Sequence, residues 1–229
     1  MRNLGMAAMN ENPTNTETSA GEATPRIVLA SYNQGKLAEL RELLRGKVEG
    51  LDVDTQVIDA GAAGAPDIVE TGVTFEDNAL LKARTVARET GLIAIADDSG
   101  LAVDVMGGSP GFLSARWAGV HGDDEANNRL LLAQMADITD PVQRHASFVC
   151  AAAVATPDGF EVVERGELEG TLLTEPQGDG GFGYDPIMQP LGSSKSLAEH
   201  TPEQKNSISH RKKAIEALLP SIIAACGNN

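Results

Sequence analysis

The chain has 229 residues, with 33 acidic against 18 basic side chains and a formal net charge of -15. That length accommodates a single α/β domain with an ample core. The acidic balance argues against a nucleic-acid polymer as partner, because nonspecific binding to such a polymer needs a basic footprint; a small anionic ligand stays possible where cations or a metal gather locally.

Residues 1–25, "MRNLGMAAMNENPTNTETSAGEATP", hold an apolar patch too short for a signal segment and then turn polar. This predicts a disordered tail ahead of a single domain over 26–229. "RIVLA" at 26–30 reads as a buried strand. The polar loop "SYNQGK" leads into "LAELRELLRGKV", where Leu37, Leu40, Leu44 and Val48 recur at helical spacing. After a loop rich in Gly, Ala and Asp, Thr74 and Asp77 stand in capping-box spacing before the helix "NALLKARTVARET", which Gly91 can terminate.

The strand "LIAIA" then runs into "DDSG", two adjacent carboxylates followed by what reads as a Ser-Gly turn. Two unit charges about 6 Å apart repel by roughly 2.8 kcal/mol at a dielectric near 20, so a solvated turn, a shared proton or a divalent cation must offset them. "GGSPGFLSARWAG" reads as a loop and "DEANNRLLLAQMA" as a helix. "ASFVCAAAVAT" and "FEVVERGEL", joined by "PDG", read as an antiparallel hairpin. A glycine-rich "EPQGDGGFGYDP" and a last helix in "SHRKKAIEALLPSIIAAC" follow. Strand-helix alternation ending in a hairpin predicts a mixed sheet flanked by helices.

No run approaches the roughly 18 apolar residues of a membrane helix. Cys150 and Cys226, without metal-ligand spacing, read as reduced residues of a soluble, cytoplasmic protein.

Three polar segments meet helices. "SYNQGK" puts Asn33, Gly35 and Lys36 at a helix N-terminus, where free N–H groups and the dipole favour phosphate, although the Walker A pattern is not met. Helix capping explains the loop equally simply. "TPEQKNSISHRKKA" places His210 and Arg211 in the first turn of the last helix, against its macrodipole. An anionic or keto-oxygen ligand would account for that, and so would a solvated charge run. "GDGGFGYDP" frames Phe182 and Tyr184 with glycines, which suits stacking on a planar base or a loop anchor.

"ASYNQGKLAEL", "TFEDNALLKA", "IADDSGLAVD", "GGSPGFLSARWAG", "GFGYDP" and "KNSISHR" together resemble the inosine/xanthosine triphosphate pyrophosphatases in order and approximate spacing. The resemblance runs from residue 26 to about 220. It implies an elongated α/β fold, with a mixed central sheet flanked by helices and two lobes around a nucleotide cleft, usually as a homodimer. The implied reaction is Mg²⁺-dependent hydrolysis of ITP, dITP or XTP to the monophosphate and pyrophosphate, which keeps deaminated purines out of DNA and RNA. A related septum-type nucleotide pyrophosphatase and a catalytically silent nucleotide-binding regulator are the alternatives.

Carried over by position, the resemblance makes Asp98 the metal ligand and general base. It makes Glu70 the nearest second ligand, with Asp97, Glu76 and Asp77 as alternatives. Ser31, Tyr32, Asn33, Gln34, Gly35 and Lys36 would cradle the phosphates. Ser99 would lie beside them and Lys205 would reach the ligand. Phe182 would stack on the purine, Gly183, Tyr184 and Asp185 would line the base pocket, and His210 with Arg211 would read its oxygen edge. Because strand side chains alternate, Asp97 and Asp98 are not expected to face the same cleft.

Overall fold

The computed structural model describes residues 24–227, so almost all of the predicted tail lies outside the described residues. The strands are β1 (Ile27–Leu29), β2 (Val57–Asp59), β3 (Ile93–Val103), β4 (Ser109–Pro110), β5 (His145–Ala155), β6 (Glu161–Leu172) and β7 (Met188–Pro190). The helices are α1 (Gln34–Leu44), α2 (Val53–Gln56), α3 (Phe75–Thr90), α4 (Asp124–Gln134), α5 (Pro202–Ile208) and α6 (His210–Gly227). One mixed sheet runs β2-β1-β3-β5-β6-β7, with β4 on β3. β1 is parallel to β2 and β3, and the other pairs are antiparallel.

Local chemistry sets several boundaries as expected. Thr74 caps α3 by accepting from the Asp77 N–H, and Gly91, at φ +70°, closes it in the left-handed conformation. β5 and β6 form the predicted hairpin, with Ala155 opposite Glu161. α1 stops at Leu44 rather than reaching Val48, and Gly46 at φ +68° turns the chain away. Val48 still packs in the core below it. The loop expected after α1 contains α2 and β2, and α5 precedes α6; these short elements lack a periodic signal of their own.

"DDSG" is not a turn. β3 continues through it, with Asp97 opposite Ala152, Asp98 opposite Ala151 and Ser99 opposite Cys150. Pairing with a long apolar neighbour overrides local turn propensity here, because an interrupted β3 would leave the β5 backbone unpaired in the core.

The sheet buries apolar residues on both faces. Ile27, Leu29, Ile93 and Ile95 pack with Leu40 and Leu44 of α1 and Ile215 and Leu218 of α6. Each such fully buried side chain contributes about 1.5–3 kcal/mol. On the opposite face, Ala94, Ala96, Ala151 and Ala153 meet Ala79, Ala83 and Ala87, and small residues on both sides let α3 lie close to the sheet. A third cluster, at the far end of the long strands, joins Leu101, Phe148 and Leu168 to Leu131 and Met135 beside α4 and to Tyr184 and Ile187.

Gly166 of β6 fixes the approach of α6. A Cβ there would sit well inside contact distance of the His210 carbonyl oxygen and the Ala214 amide nitrogen, both backbone atoms that cannot swing aside. Gly166→Ala is therefore expected to destabilise the fold by about 1–3 kcal/mol. Urea denaturation checks this, and an unchanged midpoint would mean that α6 moves off the strand at no cost.

Candidate active site

A cavity of about 560 Å³ opens beside β3, a size ordinary for small-ligand sites. Its position follows from the sheet. β1 covers the β3 edge only as far as Ile95, whose carbonyl accepts from the Ala30 N–H at 2.8 Å. β4 resumes pairing at Ala102, and in between the Leu101 N–H donates to Ser114 Oγ at 2.8 Å. Among the described residues no strand covers the edge from Ala96 to Leu101, and the cavity wraps around it. Gly100 lets the 111–116 segment close over this gap, since a Cβ there would strike Ser114 Oγ and the Gly111 carbonyl.

This open edge revises the expectation from strand alternation. Asp97 and Asp98 do point to opposite faces, yet both line the one cavity. On the α1/α6 side, Asp97 receives Lys36 Nζ at 2.6 Å and Arg211 Nε at 3.3 Å. Burial alone would raise its pKa, but those two cations hold the carboxyl well below the ordinary carboxylate range. Asn33 positions Lys36 by capping α1, its Oδ1 accepting from the Lys36 N–H at 3.1 Å.

On the α3 side, Asp98 Oδ2 accepts from Asn78 Nδ2 at 3.0 Å and Oδ1 from the Ser99 N–H at 3.0 Å. Asn78 is locked in turn by the Gly72 N–H, which donates to its Oδ1 at 2.8 Å. Burial raises the Asp98 pKa, opposed by Lys82 and the Asn78 bond and reinforced by Glu70. Lys82 Nζ lies 2.6 Å from Glu70 Oε1. Glu70 lines the cavity with Asp98, whereas Glu76 is taken up by Arg165 at 3.0 Å and Asp77 is not among the lining residues.

A family model for the Ham1 family matches residues 27–221. The chain belongs to the Ham1 family. Among curated Ham1-like relatives, the dITP/XTP pyrophosphatase of Streptomyces coelicolor is 57% identical over 197 residues, covering 86% of this chain and 96% of that protein. The Mycobacterium tuberculosis protein of the same name is 50% identical, with 86% and 95% covered. Among solved structures, a HAM1 protein from Coxiella burnetii superposes with a TM-score of 0.78 at 40% identity, covering 88% of this chain and all of that one. A Mycobacterium abscessus nucleoside-triphosphatase, or dITP/XTP pyrophosphatase, gives 0.71 at 48%, with 85% and 99% covered.

The Ham1 chain brings Asn33, Gly35, Lys36, Glu70, Asp98 and Ser99 into one cavity, together with Phe182, Lys205, His210 and Arg211. Ser31, Tyr32 and Gln34 are not lining residues: Ser31 Oγ accepts from the Asn33 N–H, Tyr32 donates to Asp67, and Gln34 binds Asp59. They shape the loop from outside. Tyr184 does not line a base pocket either, because its ring is core and its hydroxyl donates to the Ser114 carbonyl at 2.8 Å. Asp185 is buried, held by Lys205 and by the Phe182 N–H at 2.8 Å, and Gly183 lines a second cavity that also borders Phe182.

Arg211 needs the largest revision. Its Nε reaches Asp97, Nη1 reaches Glu39 and Nη2 reaches the Lys36 carbonyl at 3.4 Å, so each guanidinium nitrogen already has an acceptor. Two carboxylates account for its place against the helix dipole, and Arg211 lines the cavity beside them. His210 differs. It stacks on Phe148 with ring centroids 5.1 Å apart, and burial lowers its pKa to about 4, leaving it neutral near pH 7. His210 Nδ1 is buried without a hydrogen-bond partner, and His210 and Ser99 both line the cavity.

Sequence reasoning missed Asn78, Lys82 and Glu39. Asn78 and Lys82 had a readable signal: with Thr74 they recur at helical i, i+4 spacing, and Asn78 is a polar residue on the apolar face of α3.

Proposed function

We propose that this chain hydrolyses deaminated purine nucleoside triphosphates, ITP, dITP and XTP, to the monophosphate and pyrophosphate, and so cleanses the nucleotide pool. The observation that carries this reading is the sharing of one cavity by three lysines, four carboxylates and an exposed aromatic ring. The names of the relatives, dITP/XTP pyrophosphatase, support it. As part of the same proposal, the protein works as a cytoplasmic homodimer. Among the described residues no helix is long and apolar enough to cross a membrane.

The division of labour follows the cavity walls. Lys36, Lys82 and the α1 N-terminus bind the triphosphate. Asp98 takes a proton from the attacking water as its oxygen bonds to the α-phosphorus and the bond to the bridging oxygen breaks, releasing pyrophosphate. Burial assists by moving the Asp98 pKa toward the operating range.

Asp98 and Glu70, which line the same cavity, would hold magnesium, an ion that takes one or two carboxylates and completes its shell with phosphate and water. When bound there, the ion would offset phosphate charge and acidify a water. Phe182 offers its face to the purine. His210, a residue of the cavity wall, would donate a ring N–H to the 6-oxygen, a contact that the 6-amino group of adenine cannot accept.

A panel of ITP, XTP, dITP, ATP and GTP, with and without Mg²⁺, tests the reading. Pyrophosphate release from the first three, at kcat/KM at least about 100-fold above ATP, is expected for a site that reads one polar base edge. Equal rates on all five, or no release from any, would overturn the proposal.

A further inference from the structure

Phe182 presents a difficulty for any platform. Its ring is 76% exposed, with the Lys205 Nζ 4.1 Å from the ring centroid on one face, and it sits between Gly181 and Gly183, both at positive φ (+73° and +60°). A side chain on such a backbone ordinarily forfeits conformational entropy each time a ligand orders it. Here the backbone is already fixed. The Phe182 N–H donates to Asp185 Oδ2 at 2.8 Å, and the Phe182 carbonyl accepts from the Asp185 N–H at 3.2 Å.

The remaining groups are held by α4. The Gly183 N–H donates to Asp124 Oδ2 at 2.6 Å, and Asn128 Nδ2 donates to the Gly183 carbonyl at 2.9 Å. Asp124 and Asn128 stand four residues apart, so they share one helix face and grip both polar groups of a single residue. Asn128 is buried, and its Oδ1 has no partner. Its neighbour Asn127 faces the other wall, accepting from the Ala118 N–H at 2.7 Å next to the 111–116 segment. Consecutive buried asparagines are poor choices for helix stability, which points to their contacts as the reason for them.

We infer that Asp124 and Asn128 are positioning residues: by clamping the Gly183 backbone they preorganise the Phe182 ring as the base platform. The inference rests on the reading of Phe182 given above. Neither residue lines the substrate cavity, and both reach it only through the 182–185 turn that carries the ring.

A double-mutant cycle tests this on the full-length enzyme with ITP and Mg²⁺. Asn128→Ala and Asp124→Ala are each expected to lower kcat/KM about tenfold, the weight of one well-placed buried hydrogen bond. The loss should lie in KM, with kcat within about twofold of wild type. Asp124→Asn keeps an oxygen acceptor for the Gly183 N–H and should recover most of the loss. In a Phe182→Ala background the same substitutions should cost less than about twofold, because the group they position is gone.

If Phe182→Ala alone weakens ITP turnover but the tenfold losses persist on top of it, the clamp is merely structural and the inference fails while the platform reading stands. If Phe182→Ala alone changes nothing, the platform reading falls and the inference with it. Should Asn128→Ala not fold, Asp124→Ala and Asp124→Asn complete the cycle.

Discussion

Asp98→Asn is expected to fold normally and to lower kcat for ITP by about 10²–10⁴-fold, the contribution of a positioned general base. The substitution is nearly isosteric and keeps one oxygen that can accept from Asn78 or from the Ser99 N–H. What disappears is the negative charge, and with it the capacity to take a proton. The charge is already costly in the resting protein, since burial and Glu70 both push the Asp98 pKa up while Lys82 and Asn78 oppose them. Removing it should therefore cost little stability or even add some. Loss of turnover with an unchanged or higher melting temperature separates catalysis from folding; wild-type kcat in this variant would end the assignment of Asp98. The pH dependence carries the same sign, because a base with a raised pKa loses activity as pH falls through that pKa.

The parts of the fold legible in the sequence are those written in short range. Thr74 and Gly91 bound α3, Asn33 caps α1, and the spacing around "PDG" gives the β5–β6 hairpin. Family resemblance added the list of site residues, but not their contacts. "DDSG" reads as a turn because Ser-Gly chemistry is local, whereas the pairing of Asp98 with Ala151 is not. Tyr184 reads as a pocket residue because it follows Phe182, yet the turn from Phe182 to Asp185, with Gly183 at φ +60° between the two rings, leaves one ring exposed and the other in the core. Arg211 was unreadable for the same reason. Its partners Asp97 and Glu39 lie 114 and 172 residues away, a distance that no periodicity spans.

Arg211→Ala tests that revised role, and its expected outcome differs from that of a base reader. A residue donating to the 6-oxygen would, when removed, shrink the preference for ITP over ATP by roughly 10- to 150-fold. A buried strut holding Asp97, Glu39 and the Lys36 carbonyl should instead lower both activities in proportion, leaving the ITP to ATP ratio within about twofold. It should also cost stability. With Arg211 gone, the buried Asp97 keeps only Lys36, and the Glu39 carboxylate loses its partner; breaking such a pair typically costs about 3–5 kcal/mol. Acid dependence supplies the final check. The folded pKa of Asp97 lies below its unfolded value, near 3.9. Its contribution is thus fully present above about pH 4 and lost as pH falls through the folded pKa. In Arg211→Ala one of the two cations holding that pKa down is missing, so the variant has less of this contribution to lose. The stability gap between wild type and variant should be widest near pH 7 and should narrow below about pH 4, as urea denaturation across that range would reveal. A gap independent of pH would mean that Arg211 does not act through Asp97, and a collapsed ITP to ATP ratio would return it to the base edge.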